Sequence, residues 1–342
     1  MKAIGYRQPL PVSDETALVD LELPAPDPRP RDLRVAVKAV SVNPVDVKQR
    51  SKAAPPAGEA RVLGFDAAGI VEAVGSEVTG FKPGDEVYYA GAIDRPGSNS
   101  ALQLVDERIV AHKPKSLTFA EAAALPLTSL TAWELLFDRL GVEFGRKTEA
   151  GSLLIINGAG GVGSILTQLA HRLTGLTVIT TASRPETIAW SREMGADHVI
   201  DHRKPLDEEL ARIGFPEVDY IASLTATDRH FPAIAKAIRP QGRIALIDDP
   251  EIFDIVPLKR KSVSVHWELM FTRSLYQTPD MGEQHRILKS VAELVDAGLV
   301  RTTMTEDLGP ITAASLLEAH RHLESGRGMG KTVLSGFSGD QS

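Results

Sequence analysis

The 342-residue chain contains no cysteine. That absence excludes disulfides, thiolate nucleophiles and every zinc site built on sulfur, and it fits a reducing compartment. Nor is there a run of about 18 uninterrupted apolar residues, the length a membrane-spanning helix needs. The opening stretch MKAIGYRQPL lacks the apolar centre of a signal peptide, so a cytoplasmic location is expected. Positive charge is in short supply: 38 Lys and Arg stand against 45 Asp and Glu, a formal net charge of -7. This balance argues against a nucleic-acid-binding surface and against attraction to anionic lipid. Internal repeats and low-complexity tracts are missing as well. With hydrophobic residues at 43% and charged residues at 24%, the chain has an ordinary globular composition, and its length suits two domains.

What is present is organised around residues 153–173, LLIINGAGGVGSILTQLAHRL. Aliphatic residues at 153–156 read as a strand, and Ile165, Leu166, Leu169, Ala170 and Leu173 fall on one side of a helix. Between them Gly158-x-Gly160-x-x-Gly163 matches the dinucleotide fingerprint. Its glycines permit a tight turn, close approach of the backbone to a pyrophosphate, and close contact of helix with sheet. Gly160, Gly161, Val162 and Gly163 would open the helix, whose free N–H groups and dipole favour an anion.

The surrounding elements support this reading. Residues 1–121 look β-rich: 34–42 carries valines at 35, 37, 40 and 42, 68–74 is a second strand, and Lys82-Pro-Gly-Asp85 turns into a third at 86–90. Pro24, Pro26, Pro28 and Pro30 form a stiff connection. Thr118-Phe-Ala-Glu121 is a capping box that opens an alanine-rich helix, and 130–140 has helical spacing. Strands at 176–181, 198–200, 218–223 and 243–247 then alternate with helices at 185–194, 205–213 and 231–238. Val263 and Val265 supply a sixth strand. Unbroken βα alternation specifies a parallel, doubly wound sheet over residues 122–266. In residues 267–342, helices at 283–297 and 313–324 flank a strand at 301–303, and 331–334 is a last strand.

In such sheets an acidic residue about 20 positions past the fingerprint accepts bonds from the NAD ribose 2′-hydroxyl. That place holds Ser183-Arg184, a hydroxyl and a guanidinium suited to a 2′-phosphate, so NADPH is the expected cofactor. A second reading stays open, in which Ser183 with Glu186 merely caps the helix that Pro185 begins. Ile247 and Asp248, at the C-terminal end of the fifth strand, lie where ligands bind in open sheets; they also read as a plain loop start.

The chain resembles the medium-chain dehydrogenase/reductase superfamily, in its zinc-free quinone oxidoreductase branch, and is most similar to the zinc-type alcohol dehydrogenase-like group. The likeness covers essentially the whole chain. It rests on Ser41-Val-Asn-Pro-Val-Asp46, Leu63-Gly-Phe-Asp-Ala-Ala-Gly-Ile70, Phe81-Lys-Pro-Gly-Asp-Glu-Val87, Leu125-Pro-Leu-Thr-Ser-Leu-Thr-Ala-Trp133, the glycine turn, and Gly330-Lys-Thr-Val-Leu334. The resemblance implies a Rossmann domain inside a β-rich GroES-like catalytic domain made from both chain ends, a cleft for NADPH, and a homodimer. It also implies that Asn43 and Asp46 face the nicotinamide, that Thr128 contacts the cofactor, and that Lys331 reaches it from the returning chain. Tyr89 is added as a hydrogen-bond donor and Phe65 as a wall. Simpler readings stand beside these: Asn43-Pro44 as a turn, Phe65 as core, Asp46 as a surface or capping carboxylate.

The departures from the zinc-dependent relatives matter as much. Asn43 stands where they have a cysteine, Gly64-Phe65-Asp66 where they have Gly-His-Glu, and a short stretch near residues 94–100 replaces their structural-zinc lobe. Catalytic zinc sites typically keep three protein ligands, so no metal is expected. Alcohol oxidation without zinc needs a strong base, and the chain has no Tyr-x-x-x-Lys pair to supply one. Reduction of a quinone or an α,β-unsaturated carbonyl needs less, because the hydride meets an electron-poor carbon and hydrogen bonds hold the oxyanion. An NADPH-dependent reductase of a small-molecule acceptor is therefore expected. The alternatives are a non-catalytic NADPH- or RNA-binding protein and an alcohol dehydrogenase with an atypical zinc site.

Three other patterns are set aside. Residues 325–332 imitate a Walker loop, but serine replaces the first glycine and the order is helix, loop, strand. His198 and His202 flank a strand rather than share a helix face, and His320 and His322 read as ordinary surface or packed histidines.

Overall fold

The computed structural model describes residues 1–145 and 150–337. The chain divides into two compact units, residues 1–130 with 271–342, and residues 131–270. The first division falls inside helix Pro126–Trp133, nine positions beyond the change of texture at 121/122. The second lies at 270/271 rather than 266/267.

In the first unit, strand Asp32–Ser41 is the spine of a seven-stranded sheet and pairs antiparallel with Ala67–Val74, Leu102–Asp106 and Lys331–Ser335. Its valines change phase between 37 and 40. In a pleated strand that slip would turn one half of the side chains outward, and a register shift between Val37 and Ala39 absorbs it. Lys38, the extra residue, is exposed while Val35, Val37, Ala39 and Val40 are buried. Lys331–Ser335 lies next to the spine, so the chain's last strand completes a sheet begun by its first hundred residues. A smaller sheet joins Lys2–Tyr6, Val19–Glu22 and Arg61–Val62.

One expected strand is displaced. Pairing beside Lys331 starts at Met304 and runs over Met304–Asp307, not over 301–303. Thr302 and Thr303 donate their hydroxyls to the carbonyls of Glu121 (2.8 Å) and Ala124 (3.2 Å), which ties this stretch to a helix end, and its one main-chain bond to the last strand is the Lys331 amide donating to the Thr303 carbonyl (2.8 Å).

The second unit holds a six-stranded, wholly parallel sheet in the order His198–Ile200, Thr177–Thr181, Ser152–Ile156, Val218–Ser223, Ile238–Leu246, Ser264–Trp267. In chain sequence that order is third, second, first, fourth, fifth, sixth, the doubly wound pattern with its reversal beside the first strand. Ile156, Ile179, Ile221 and Ile244 belong to its buried core. The helical spacing at 130–140 resolves into helix Pro126–Trp133 followed by a π-type turn over Glu134–Arg139, where the Leu140 amide donates to the Leu135 carbonyl (2.9 Å).

Two helix starts differ from expectation. The helix expected at 231 begins four residues earlier, as Thr227–Ala237. Asp248 makes this start: one carboxylate oxygen accepts the Thr227 amide (2.8 Å) and the other its hydroxyl. Ser183 does not cap helix Pro185–Glu193. Arg184 is its N-cap, and the Arg184 amide donates to the Thr187 hydroxyl (3.2 Å), leaving Glu186 to pair with the Arg184 guanidinium (3.2 Å).

Candidate active site

Strand Ser152–Ile156 is buried along its whole length, and the chain leaves it through Asn157, whose φ of 70° turns it sharply. A Cβ at Gly158 would stand 2.4 Å from Thr180 Cβ on the neighbouring strand, and one at Gly163 would stand 2.2 Å from the Asn157 carbonyl. Both glycines are thus required by packing of turn and helix against the sheet. Helix Gly161–Leu173 starts from Gly160 as N-cap, which has no side chain to satisfy the first-turn amides. Gly161, Val162 and Gly163 therefore present the N-terminal end of a 13-residue helix, a place suited to a phosphate.

At the end of strand Thr177–Thr181, Ser183 and Arg184 are both partly exposed. The Ala182 amide donates to the Ile200 carbonyl (3.0 Å), which sets this corner beside the end of strand His198–Ile200. The acid that follows that strand, Asp201, is gripped by Arg203, whose guanidinium holds its carboxyl down to about 2. Ile247 has left strand Ile238–Leu246 and donates its amide to the Ser223 carbonyl (3.4 Å), while Asp248 is occupied as the cap of Thr227.

In the other unit, Asn43, Asp46, Asp66 and Lys331 form one buried cluster, none more than 4% exposed. Asn43 ends the spine strand's exit and is the N-cap of helix Pro44–Lys52, with Pro44 at its first position. Asp46 reaches back: its carboxylate accepts the amides of Asn43 (2.9 Å) and Gly64 (3.0 Å). The Asn43 side chain donates through Nδ2 to Asp66 Oδ2 (2.8 Å). The other Asp66 oxygen accepts the Leu127 amide (2.7 Å). Lys331 Nζ donates to the Val42 carbonyl (2.7 Å) and to Asn43 Oδ1, and lies 3.1 Å from Asp66 Oδ2.

Burial dominates the electrostatics of this cluster. It pushes the Asp46 carboxyl up to about 7 against the opposing pull of the Asn43 amide and Lys331. Asp66 is raised by burial and pulled back by the Lys331 ammonium, and Lys331 is lowered by burial and supported by Asp66.

The structure thus brings together Asn43, Asp46 and Lys331 of the expected residues, with Asp66 added. Thr128, in the helix whose Leu127 amide binds Asp66, is buried and gives its hydroxyl to the Leu125 carbonyl (3.2 Å). Tyr89 pairs in register with Ala67, next in sequence to Asp66, and is fully buried with no partner for its hydroxyl among the described residues. Phe65 is core, edge-on to Phe271 with ring centroids 5.3 Å apart. The aspartate at 66 carried its own signal, a charge inside the apolar run 63–70, which demands a buried partner.

Comparison with known proteins decides the family. The alcohol dehydrogenase GroES-like domain matches residues 29–126, and the zinc-binding dehydrogenase family matches residues 194–334. A zinc-type alcohol dehydrogenase-like protein of Staphylococcus aureus is 42% identical over 98% of this chain and 100% of its own length. The chain belongs to the medium-chain dehydrogenase/reductase superfamily. Within the superfamily, a 2-methylene-furan-3-one reductase of Solanum lycopersicum is 32% identical over 90% of this chain and 73% of that protein. Among solved structures, a putative zinc-dependent alcohol dehydrogenase from Rhizobium etli CFN 42 superposes with a TM-score of 0.95 at 56% identity, covering 99% of this chain and 98% of that one. The quinone oxidoreductase of Escherichia coli complexed with NADPH gives 0.83 at 25% identity, covering 98% and 100%. Superfamily membership makes this chain an oxidoreductase that uses a nicotinamide cofactor. The zinc in the family's name finds no support in the donor set, since no group of three or more His, Cys, Asp or Glu side chains able to hold a metal occurs among the described residues.

Proposed function

We propose that the protein is an NADPH-dependent reductase of quinones or α,β-unsaturated carbonyl compounds that works without a metal. The observation that carries this reading is the identity of the buried cation: where zinc relatives have a Lewis acid, this chain has the Lys331 ammonium, already engaged by three oxygens. Such a site is poorly suited to deprotonating an alcohol. Hydride transfer to an acceptor that is already electron-poor makes a smaller demand, namely donors for the oxyanion.

NADPH, when bound, supplies the hydride. The chain's own groups hold and polarise. The helix start at Gly161, Val162 and Gly163 binds the pyrophosphate, and Ser183 with Arg184 binds the 2′-phosphate. Two donors remain uncommitted: the second amide hydrogen of Asn43, whose first goes to Asp66, and, elsewhere in the same unit, the Tyr89 hydroxyl, which has no partner among the described residues. They are the candidates for holding the developing oxyanion. Asp46 acts through Asn43 as a positioning residue, because both its oxygens accept main-chain amides. The relatives named as a furanone reductase and as an NADPH-bound quinone oxidoreductase support this acceptor class.

A small-molecule acceptor, a cytoplasmic setting and a homodimer complete the proposal. No described helix is long and apolar enough to cross a membrane. Ser264–Trp267 forms one edge of the parallel sheet, with Trp267 and Leu269 about half exposed beside it; pairing of that edge with a second copy would cover both.

The test is absorbance at the nicotinamide band with a panel of quinones, alkenals and ketones, using NADPH and NADH in parallel. Turnover of quinones or alkenals with preference for NADPH is expected. Equal or better use of NADH would refute the cofactor assignment, and turnover of none would favour a non-catalytic NADPH-binding protein.

A further inference from the structure

The zinc-dependent relatives imply an ion where Asn43 and Asp66 stand, and the residues present do not fit one. The cluster's inward donors are a main-chain carbonyl, an amide oxygen and a single carboxylate, with neither imidazole nor thiolate, the ligands zinc favours. Its centre also already carries a positive charge.

We infer that Val42 O, Asn43 Oδ1 and Asp66 Oδ2 form a cage for a monovalent ammonium ion, and that Lys331 is its permanent, covalently tethered occupant. The hydrogen-bond count closes: an ammonium has three hydrogens, and three oxygens from two distant chain segments surround Nζ. The cage is held independently of its guest. The Leu127 amide fixes Asp66, the Asn43 Nδ2 donates to the same carboxylate, and Asp46 fixes the Asn43 main chain. The approach of the guest is prepared as well. Gly330 has a φ of 56° and a Cβ there would lie 2.4 Å from the Thr303 carbonyl, which accepts the Lys331 amide (2.8 Å). A glycine at 330 is thus needed to start the strand that aims Lys331 inward.

Because Val42, Asn43, Asp66 and Lys331 are all at most 4% exposed, shortening Lys331 leaves a closed hole lined by oxygens and one carboxylate, shaped for a primary alkylammonium. A quaternary ammonium has the same charge but no N–H to offer. The inference is independent of the acceptor and of NADPH.

The experiment uses the full chain with Lys331→Ala and Lys331→Met, and follows the thermal midpoint in propylammonium chloride against equal tetramethylammonium chloride. The alanine variant should melt roughly 5 to 15 °C below the unaltered protein, since an unpaired buried charge remains. Propylammonium, and not tetramethylammonium, should raise its midpoint saturably. The unaltered protein and Lys331→Met, whose cages are filled, should show no difference between the salts. An equal response of the alanine variant to both salts would overturn the cage. If Lys331→Ala does not fold, Lys331→Met is compared with the double variant Lys331→Met, Asp66→Asn. The double variant should melt higher, because the stranded carboxylate is gone, and a double variant that melts at or below the single one would overturn the inference. So would one zinc per chain in the unaltered protein after dialysis against a chelator.

Discussion

Asp46 offers a quantitative probe of the buried cluster. Its carboxyl is pushed from 3.8 to about 7, burial being the largest cause, opposed by the Asn43 amide, Lys331 and the Gly64 amide and reinforced by Asp66. A rise from 3.8 to about 7 amounts to about 4 kcal/mol between the two protonation states. The direction follows from linkage. Between pH 4 and 7 the unfolded chain gives up this proton while the folded chain keeps it, so rising pH favours unfolding. The contribution of Asp46 to stability is fully present below about pH 4 and is lost as pH rises to about 7. Asp46→Asn removes the titration, though it also loses one of two accepted amide bonds, at about 1 kcal/mol. Urea unfolding of both proteins at pH 5 and pH 8 reads the effect. The stability of the unaltered protein should fall by about 2 to 4 kcal/mol relative to the variant between these values. A constant difference across the range would refute the burial argument.

Three further outcomes follow from the same structure. Arg184→Ala should weaken NADPH binding about 10-fold or more, the worth of a charge-assisted bond, and leave NADH nearly unchanged; fluorescence titration with both nucleotides checks it. Tyr89→Phe should hold or slightly raise the thermal midpoint, because the buried hydroxyl it removes has no partner among the described residues. The same variant should lower kcat if that hydroxyl donates to the acceptor. Asp248→Ala should cost about 1 to 2 kcal/mol in chemical unfolding by uncapping helix Thr227–Ala237.

Features set by neighbouring residues were legible in the sequence. The Thr118 to Glu121 capping box forms as its spacing requires, with the Glu121 carboxylate accepting the Thr118 amide (2.9 Å). The glycine turn and the βα alternation yielded the parallel sheet with strands within a few residues of their expected places. What escaped depends on partners far away in the chain. Helix Thr227–Ala237 starts early because Asp248, which no local pattern links to Thr227, caps it. The strand expected at 301–303 starts only at Met304, while the Thr302 and Thr303 hydroxyls find carbonyls at 121 and 124. Ser183 loses the cap to Arg184 because the Thr187 hydroxyl satisfies the Arg184 amide. At the candidate site the resemblance points to Asn43, Asp46 and Lys331, yet their mutual geometry hinges on Asp66, which enters the sequence only as the third residue of the Gly64-Phe65-Asp66 that replaces Gly-His-Glu. Its pairing with a lysine 265 positions later is a property of the closed sheet, and only the mismatch of a charge in an apolar run hinted at it.

The most direct test of the account is oxidation of NADPH by a naphthoquinone, followed at the nicotinamide band, with protein dialysed against a strong zinc chelator. Full turnover, unchanged by chelator or by added zinc, is the result the account predicts. Loss of turnover on dialysis with recovery on adding zinc would contradict it.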